Sequence, residues 1–246
     1  MITIPDYKWK AASNSPSLKN GEIDVWKVDL ERDPRDLDSF FQLLSDDEKV
    51  RANKYVFARD RGHFIAGRGM LRKIIGGYLD KSPDEIKFSI RHYGKPDLTG
   101  EASDLRFNVS HSRGIAVIAV SLKREIGVDI EFVDPDFDVF SVAKNIFSAE
   151  EILRIEALPL NLQTATFFAG WTRKEAFLKA MGDGLSSPEE LQTAISFMNG
   201  DDVFYRSVEN GRIRDWSLTS FEIQENFRAA LVVEGNVGTV RFWEIV

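Results

Sequence analysis

The chain carries parts of its own sequence twice, and this limits what it can fold into. "EIDVWKV" at Glu22 is matched by "EIGVDIE" at Glu125, an offset of 103 residues. At that offset "LSDDEKVR" at Leu44 matches "FSAEEILR" at Phe147, and "FIAG" at Phe64 matches "FFAG" at Phe167. Slightly out of step, "SPDEI" at Ser82 resembles "SPEEL" at Ser187. Three matches in order on one diagonal mark a duplicated unit. The copies meet near residues 123–125, which divides the chain into a first half, 1–124, and a second half, 125–246.

Each copy spells the same elements. A strand pattern opens it, at 23–28 and 126–132. A capping box follows, Ser45 with Glu48 and Ser148 with Glu151, which starts a helix. A longer helix comes next, over about 60–78 and about 164–181. Apolar strands close each half, at 114–121 and 227–235. The expected fold is α+β: two similar sheet-and-helix halves related by a pseudo-twofold.

With 246 residues and 43% hydrophobic content, the chain can bury a sizeable core. Cysteine is absent and there are three histidines, so a metal site would be built mainly from oxygen ligands, suiting Mg²⁺, Mn²⁺ or Ca²⁺. No apolar run approaches a membrane span, and the N-terminus lacks the apolar core of a secretory signal. A soluble cytoplasmic protein is the simplest expectation. The net charge of −7 argues against a general nucleic-acid binder. Within 51–73, however, Arg51, Lys54, Arg59, Arg61, Arg68, Arg72 and Lys73 are opposed only by Asp60. That segment is an anion site or a solvated basic helix face.

The strand at 126–132 holds two acids, Asp129 and Glu131, two residues apart and so on one face. Paired carboxylates repel and are costly to desolvate. The first copy has Trp26 and Val28 at these positions, and Arg72 where the second has Glu175. Acids in one copy alone point to a site that uses the halves asymmetrically. On the second long helix, Lys174 and Glu175 fall inside the apolar arc of Phe167, Phe168, Trp171, Phe177, Leu178 and Met181. Glu175 can pair with Lys179 at i,i+4. Alternatively, a divalent cation held by Asp129, Glu131 and Glu175 would neutralise all three carboxylates, against the plainer reading of solvated acids on an edge strand. Asn108, Ser110, His111 and Ser112 form either an anion cradle or a turn with local hydrogen bonds.

Taken in order, "YGKP", "FNVSHS", "IGVDIE", "FSAEE" and "WTRKEAFLKAMGDGL" resemble the motifs of the Sfp-type 4′-phosphopantetheinyl transferases. The resemblance covers about residues 51–187. It implies that family's pseudodimer fold, with the active site between the halves. It implies a Mg²⁺-dependent enzyme, with Mn²⁺ as a second candidate, of the holo-[acyl-carrier-protein] synthase type. Such an enzyme moves the 4′-phosphopantetheine of coenzyme A, its substrate, to a serine of an apo acyl carrier protein or peptidyl carrier domain. The other product is 3′,5′-ADP. A monomer acting without nucleic acid or membrane is implied. By motif position, Asp129, Glu131 and Glu175 correspond to the metal ligands, and His111 to the contact with the 3′-phosphate, with Ser110 beside it. Lys95 corresponds to a residue near the adenine nucleotide. Lys174 and Lys179 correspond to the phosphate-contacting lysines, and Glu151 to an acid near the reacting centre. The first half would then bring the nucleotide contacts and the basic helix, and the second half the acids and the catalytic helix. Glu175 and Glu151 are both candidates for the base, and Lys179 would stabilise the departing 3′,5′-ADP. One departure stands out: the family's first-half arginine is replaced by His63, with Arg61 or Arg68 as substitutes.

Two other functions use the same residues. A Mg²⁺-dependent nucleotide pyrophosphate hydrolase needs only water as acceptor. A non-enzymatic module would bind the anion or the carrier without any metal dependence. The pathway, the particular carrier and the tolerance for acylated coenzyme A leave no mark in the sequence.

Overall fold

The structure is a computed structural model describing residues 8–12, 16–90, 96–99, 104–182, 203–209 and 212–245. The first half holds β1 (Lys10–Ala11), β2 (Glu22–Asp29), α1 (Pro34–Leu43), α2 (Asp46–Ala52), α3 (Ala58–Leu79), β3 (Phe88–Ile90), β4 (Pro96–Leu98), β5 (Leu105–Ser112) and β6 (Ile115–Leu122). The second holds β7 (Ile126–Phe132), α4 (Val139–Ala143), α5 (Ala149–Glu156), α6 (Leu160–Met181), β8 (Val203–Glu209), β9 (Arg212–Phe221), β10 (Phe227–Glu234) and β11 (Thr239–Ile245). The expected α+β fold with two similar halves is present, and the halves are joined at the β6–β7 turn.

Two sheets pack face to face, each with a long helix outside. Their strand orders are β1-β11-β2-β6-β5 and β7-β10-β9-β8. Alternation along the strands builds the layers. Ile23 and Val25 of β2 meet Ile126, Val128 and Ile130 of β7 in a core between the sheets. Trp26 and Val28 point the other way, against α3. On β10, Ala230 and Val232 pack under Ala176, Phe177 and Ala180 of α6. By the same alternation, Gly127, Asp129 and Glu131 turn away from the inter-sheet core, toward α6.

Both capping boxes form, Ser45 with Glu48 and Ser148 with Glu151. β7 has the expected bounds. The long helices start earlier than their patterns predict, at Ala58 and Leu160. Periodicity reports burial, and the first turn of α6 buries little: Leu160 is 83% exposed. "SPDEI" folds as a short 3₁₀ turn, Pro83–Glu85, capped by Ser82. Its counterpart at Ser187 lies outside the described residues.

β11 crosses back into the first sheet and runs parallel to β2, Thr239 beside Glu22 and Ile245 beside Val28. A buried carboxylate ties it down. Asp24 accepts from Arg241 Nε at 2.7 Å, from Trp243 Nε1 at 2.8 Å and from the Tyr78 hydroxyl. Among the described residues, no helix is long and apolar enough to cross a membrane.

Candidate active site

Gly127 sets the site's dimensions. A Cβ there would lie 2.0 Å from the Ala176 carbonyl oxygen and 2.4 Å from the Ala180 nitrogen. Without one, α6 rests directly on β7, and Glu175 and Lys179 reach Asp129 and Glu131. A cavity of about 360 Å³ opens there, lined by Ser110, His111, Asp129, Glu131, Glu175 and Lys179. The serine and the histidine come from β5, so both halves contribute.

The acids are under strain of a particular kind. Asp129 is buried; its Oδ1 accepts from Lys179 Nζ at 2.6 Å and from Ser110 Oγ at 2.8 Å. Its Oδ2 is buried with no hydrogen-bond partner among the described residues. Burial lifts all three carboxyls above their ordinary range, with neighbouring charge adding for Glu131 and Glu175. Glu131 is pushed up to about 7, by burial first and then by Asp129. Lys179 thus reaches across to the strand acid Asp129.

The described His, Asp and Glu side chains do not gather tightly enough in any set of three to hold a metal ion as they stand. The donor chemistry nevertheless fits a hard cation: all oxygen, anionic, and with a buried carboxylate oxygen lacking a partner.

The repeat explains why Glu175 is available. In the first half, Glu48 of the capping box is held by Arg72, with 2.7 Å between Glu48 Oε2 and Arg72 NH2. Its counterpart Glu151 is held by Lys174, at 3.0 Å from Oε2, and not by residue 175, the counterpart of Arg72. The anchoring cation has moved one residue along the helix, and position 175 is left to face the strand acids. Lys174 is fully buried beside the Phe147 ring, and burial pulls its ammonium below the ordinary value against the opposing pull of Glu151. Neither Glu151 nor Lys174 lines the cavity. The two are engaged with each other in this buried pair. Glu151→Gln should cost about 3–5 kcal/mol, because it strands a buried ammonium. Adding Lys174→Met should recover much of that loss. Denaturant midpoints of the two variants check this.

A second cavity, of about 390 Å³, lies in the first half and is lined by Arg51, Phe64, Arg68, Arg72, Phe88 and Pro96. The Arg68 guanidinium stands 5.9 Å from both the Phe64 and Phe88 rings, and Arg51 stands 5.1 Å from Phe64. The acids Asp47, Glu48 and Asp84 line it too, and Glu48 pairs with both Arg68 and Arg72.

Comparisons with known proteins identify the family. A model described as 4′-phosphopantetheinyl transferase superfamily matches residues 125–232, and one described as 4′-phosphopantetheinyl transferase, N-terminal, matches 29–123. The 4′-phosphopantetheinyl transferase HetI of Nostoc sp. is 35% identical over 242 residues, covering 96% of this chain and 98% of that protein. The chain belongs to the 4′-phosphopantetheinyl transferase superfamily. Its reaction is transfer of the 4′-phosphopantetheine arm of coenzyme A to a carrier protein. The 4′-phosphopantetheinyl transferase Sfp of Bacillus subtilis is 32% identical over 149 residues, 61% of this chain and 65% of that protein. The L-aminoadipate-semialdehyde dehydrogenase-phosphopantetheinyl transferase of Mus musculus is 29% identical over 208 residues, 77% and 67% of the two chains.

The transferase gathers six of the expected residues at one place: Ser110, His111, Asp129, Glu131, Glu175 and Lys179. Of the two arginines expected to replace the one missing at His63, Arg68 lines the second cavity. Arg61 turns away, with its guanidinium 5.4 Å from the Phe41 ring and NH2 donating to Asn53 at 3.3 Å. His63 itself meets Glu31 at 2.9 Å. Lys95 lies outside the described residues; its neighbour Pro96 lines the cavity. Sequence reasoning missed Phe64 and Phe88. Ser112 was singled out with Ser110, but its contact with Glu131 was not foreseen.

The carboxyl cluster has a pH signature. Glu131 holds its proton more tightly in the folded chain than in the unfolded one, about 7 against 4.5. In EDTA, stability should therefore be lost as pH rises from about 4.5 to about 7, and then level off. Melting curves across that range should show the fall in the parent and a flatter profile in Glu131→Gln.

Proposed function

We propose that the cleft between the halves transfers phosphopantetheine from coenzyme A to the hydroxyl of a carrier serine, with Asp129, Glu131 and Glu175 holding a magnesium or manganese ion. The observation that carries this reading is the unpartnered Asp129 Oδ2, buried among raised carboxyls beside a lysine and a histidine. Asp129, Glu131 and Glu175 would hold the ion, which would supply charge neutralisation for the pyrophosphate and the attacked phosphorus.

The protein's own groups do the rest. The cavity of Arg51, Phe64, Arg68 and Phe88 takes the adenosine end. His111 contacts the 3′-phosphate. Burial and the nearby Lys179 and His63 hold its imidazole below the ordinary value. A phosphate dianion against it favours the protonated form and so strengthens the contact. Glu175, which lines the cavity while Glu151 does not, takes the serine proton. Glu151 is reserved for bracing α6 through Lys174. Lys179 swings from Asp129 to the departing 3′,5′-ADP and offsets its charge. The two halves supply both walls of the cleft, so a cytoplasmic monomer suffices. His111→Ala should raise KM for coenzyme A about tenfold, the worth of one hydrogen bond to a charged group, with a smaller change in kcat. Steady-state kinetics at fixed carrier concentration test this.

The deciding experiment is intact mass of an apo carrier after incubation with the protein, coenzyme A and Mg²⁺. An acyl carrier protein and a peptidyl carrier domain serve as separate acceptors, so the run also tests the holo-[acyl-carrier-protein] synthase assignment. A gain of one phosphopantetheine is expected, absent with EDTA and absent from a carrier lacking its serine. Coenzyme A consumed with no gain on any carrier would overturn the transfer reading in favour of pyrophosphate hydrolysis.

A further inference from the structure

β5 and β7 are edge strands of different sheets, and they run past each other without a shared backbone ladder. An exposed edge leaves backbone groups wanting partners. Here side chains supply them. Asn108, Ser110 and Ser112 stand two apart on β5, and so share one face. Asn108 Oδ1 accepts from Val128 N at 2.9 Å. Ser110 Oγ donates to Asp129 Oδ1 at 2.8 Å. Ser112 Oγ donates to Glu131 Oε2 at 3.1 Å and accepts from Phe132 N at 3.1 Å. The result is a comb of three side chains from the first half engaging β7 of the second, tooth by tooth.

The comb acts selectively on the acids. Asp129 Oδ1 is fully engaged by Ser110 and Lys179, while Oδ2 is buried and left bare. A carboxylate held this way offers one defined oxygen. We propose that Ser110 and Ser112 are positioning residues for the cation: each fixes one oxygen of a strand acid so that the other is presented to the ion. This rests on the reading of Asp129 and Glu131 as ligands. It moves Ser110 from a nucleotide contact to a support of the metal site. It also gives Ser112 a task, and makes the ion's seat depend on contact between the halves.

The test is Mn²⁺ binding to the full chain, measured calorimetrically without coenzyme A or carrier, together with 3′,5′-ADP binding in EDTA. Loss of a group that orients a metal ligand typically weakens binding by about 10–100-fold. Ser110→Ala and Ser112→Ala should each weaken Mn²⁺ binding about tenfold or more, and Ser112→Ala should leave 3′,5′-ADP binding unchanged. Ser112→Thr, which keeps the hydroxyl, should bind Mn²⁺ like the parent. Parent-like Mn²⁺ binding in both alanine variants, or loss of 3′,5′-ADP binding instead in Ser112→Ala, would overturn the proposal. So would equal loss in Ser112→Thr and Ser112→Ala, since shape and not the hydroxyl would then be responsible. If the parent binds Mn²⁺ no better than Asp129→Asn, the ligand reading itself fails, and the inference falls with it.

Discussion

Asp129→Asn should lower phosphopantetheine transfer about a thousandfold or more, with no loss of fold. Charge neutralisation by a bound ion is worth several kcal/mol to such a reaction, and ~4 kcal/mol is a factor of about a thousand. Stability moves the other way. The aspartate is 3% exposed, and burial already disfavours its charge. A neutral amide of the same shape removes that penalty. Lys179, left without its carboxylate, is 29% exposed at the side chain and can hydrate. In EDTA the variant should therefore melt at or above the parent temperature. Carrier mass gain and a melting curve measure the two effects separately. Parent-level transfer would remove Asp129 from the metal site. A large fall in melting temperature would instead make it a structural group.

Gly127→Ala should have the larger effect on the fold. Strand backbone tolerates alanine, so the whole cost is steric. The added methyl would meet backbone atoms of α6 at 2.0 and 2.4 Å, and backbone cannot rotate aside. Overpacking typically costs about 1–3 kcal/mol and occasionally more; here about 3 kcal/mol or more is expected. Activity should fall in whatever protein remains folded, because lifting α6 carries Glu175 and Lys179 away from Asp129. Denaturant unfolding and transfer assayed well below the melting point check both parts. A stable, fully active variant would mean that α6 does not rest on β7 as described.

What was legible in the sequence was local. The capping boxes at Ser45 and Ser148 need only a few residues each, and both form. β7 has a pattern of seven residues and the expected bounds. The acids stood out because the repeat showed what their positions hold in the other copy. What was hidden depends on partners far along the chain. Nothing near Lys174 says that it serves Glu151, 23 residues earlier. Nor does anything near Arg61 say that it faces Phe41 while Arg68 faces the cavity. Lys179 offered a local partner at i,i+4, but Asp129 lies in a deeper, less screened place. The two motifs "FNVSHS" and "IGVDIE" looked like separate signals, yet they form one interlocked structure across the sheets.

The return of β11 has a consequence for the order of events during synthesis. β2 emerges early, but its parallel neighbour arrives only with Arg241, 217 residues after Asp24. Until then Asp24 lacks the guanidinium and indole that satisfy it, and the first sheet lacks an inner strand. Contacts so distant in sequence pay their loop-closure entropy before they stabilise anything. The first half should therefore leave the ribosome as an open, unfinished platform that closes after the second half has been made. Cleaving the gene at the repeat boundary would give two fragments, the first of which waits for a strand encoded in the other.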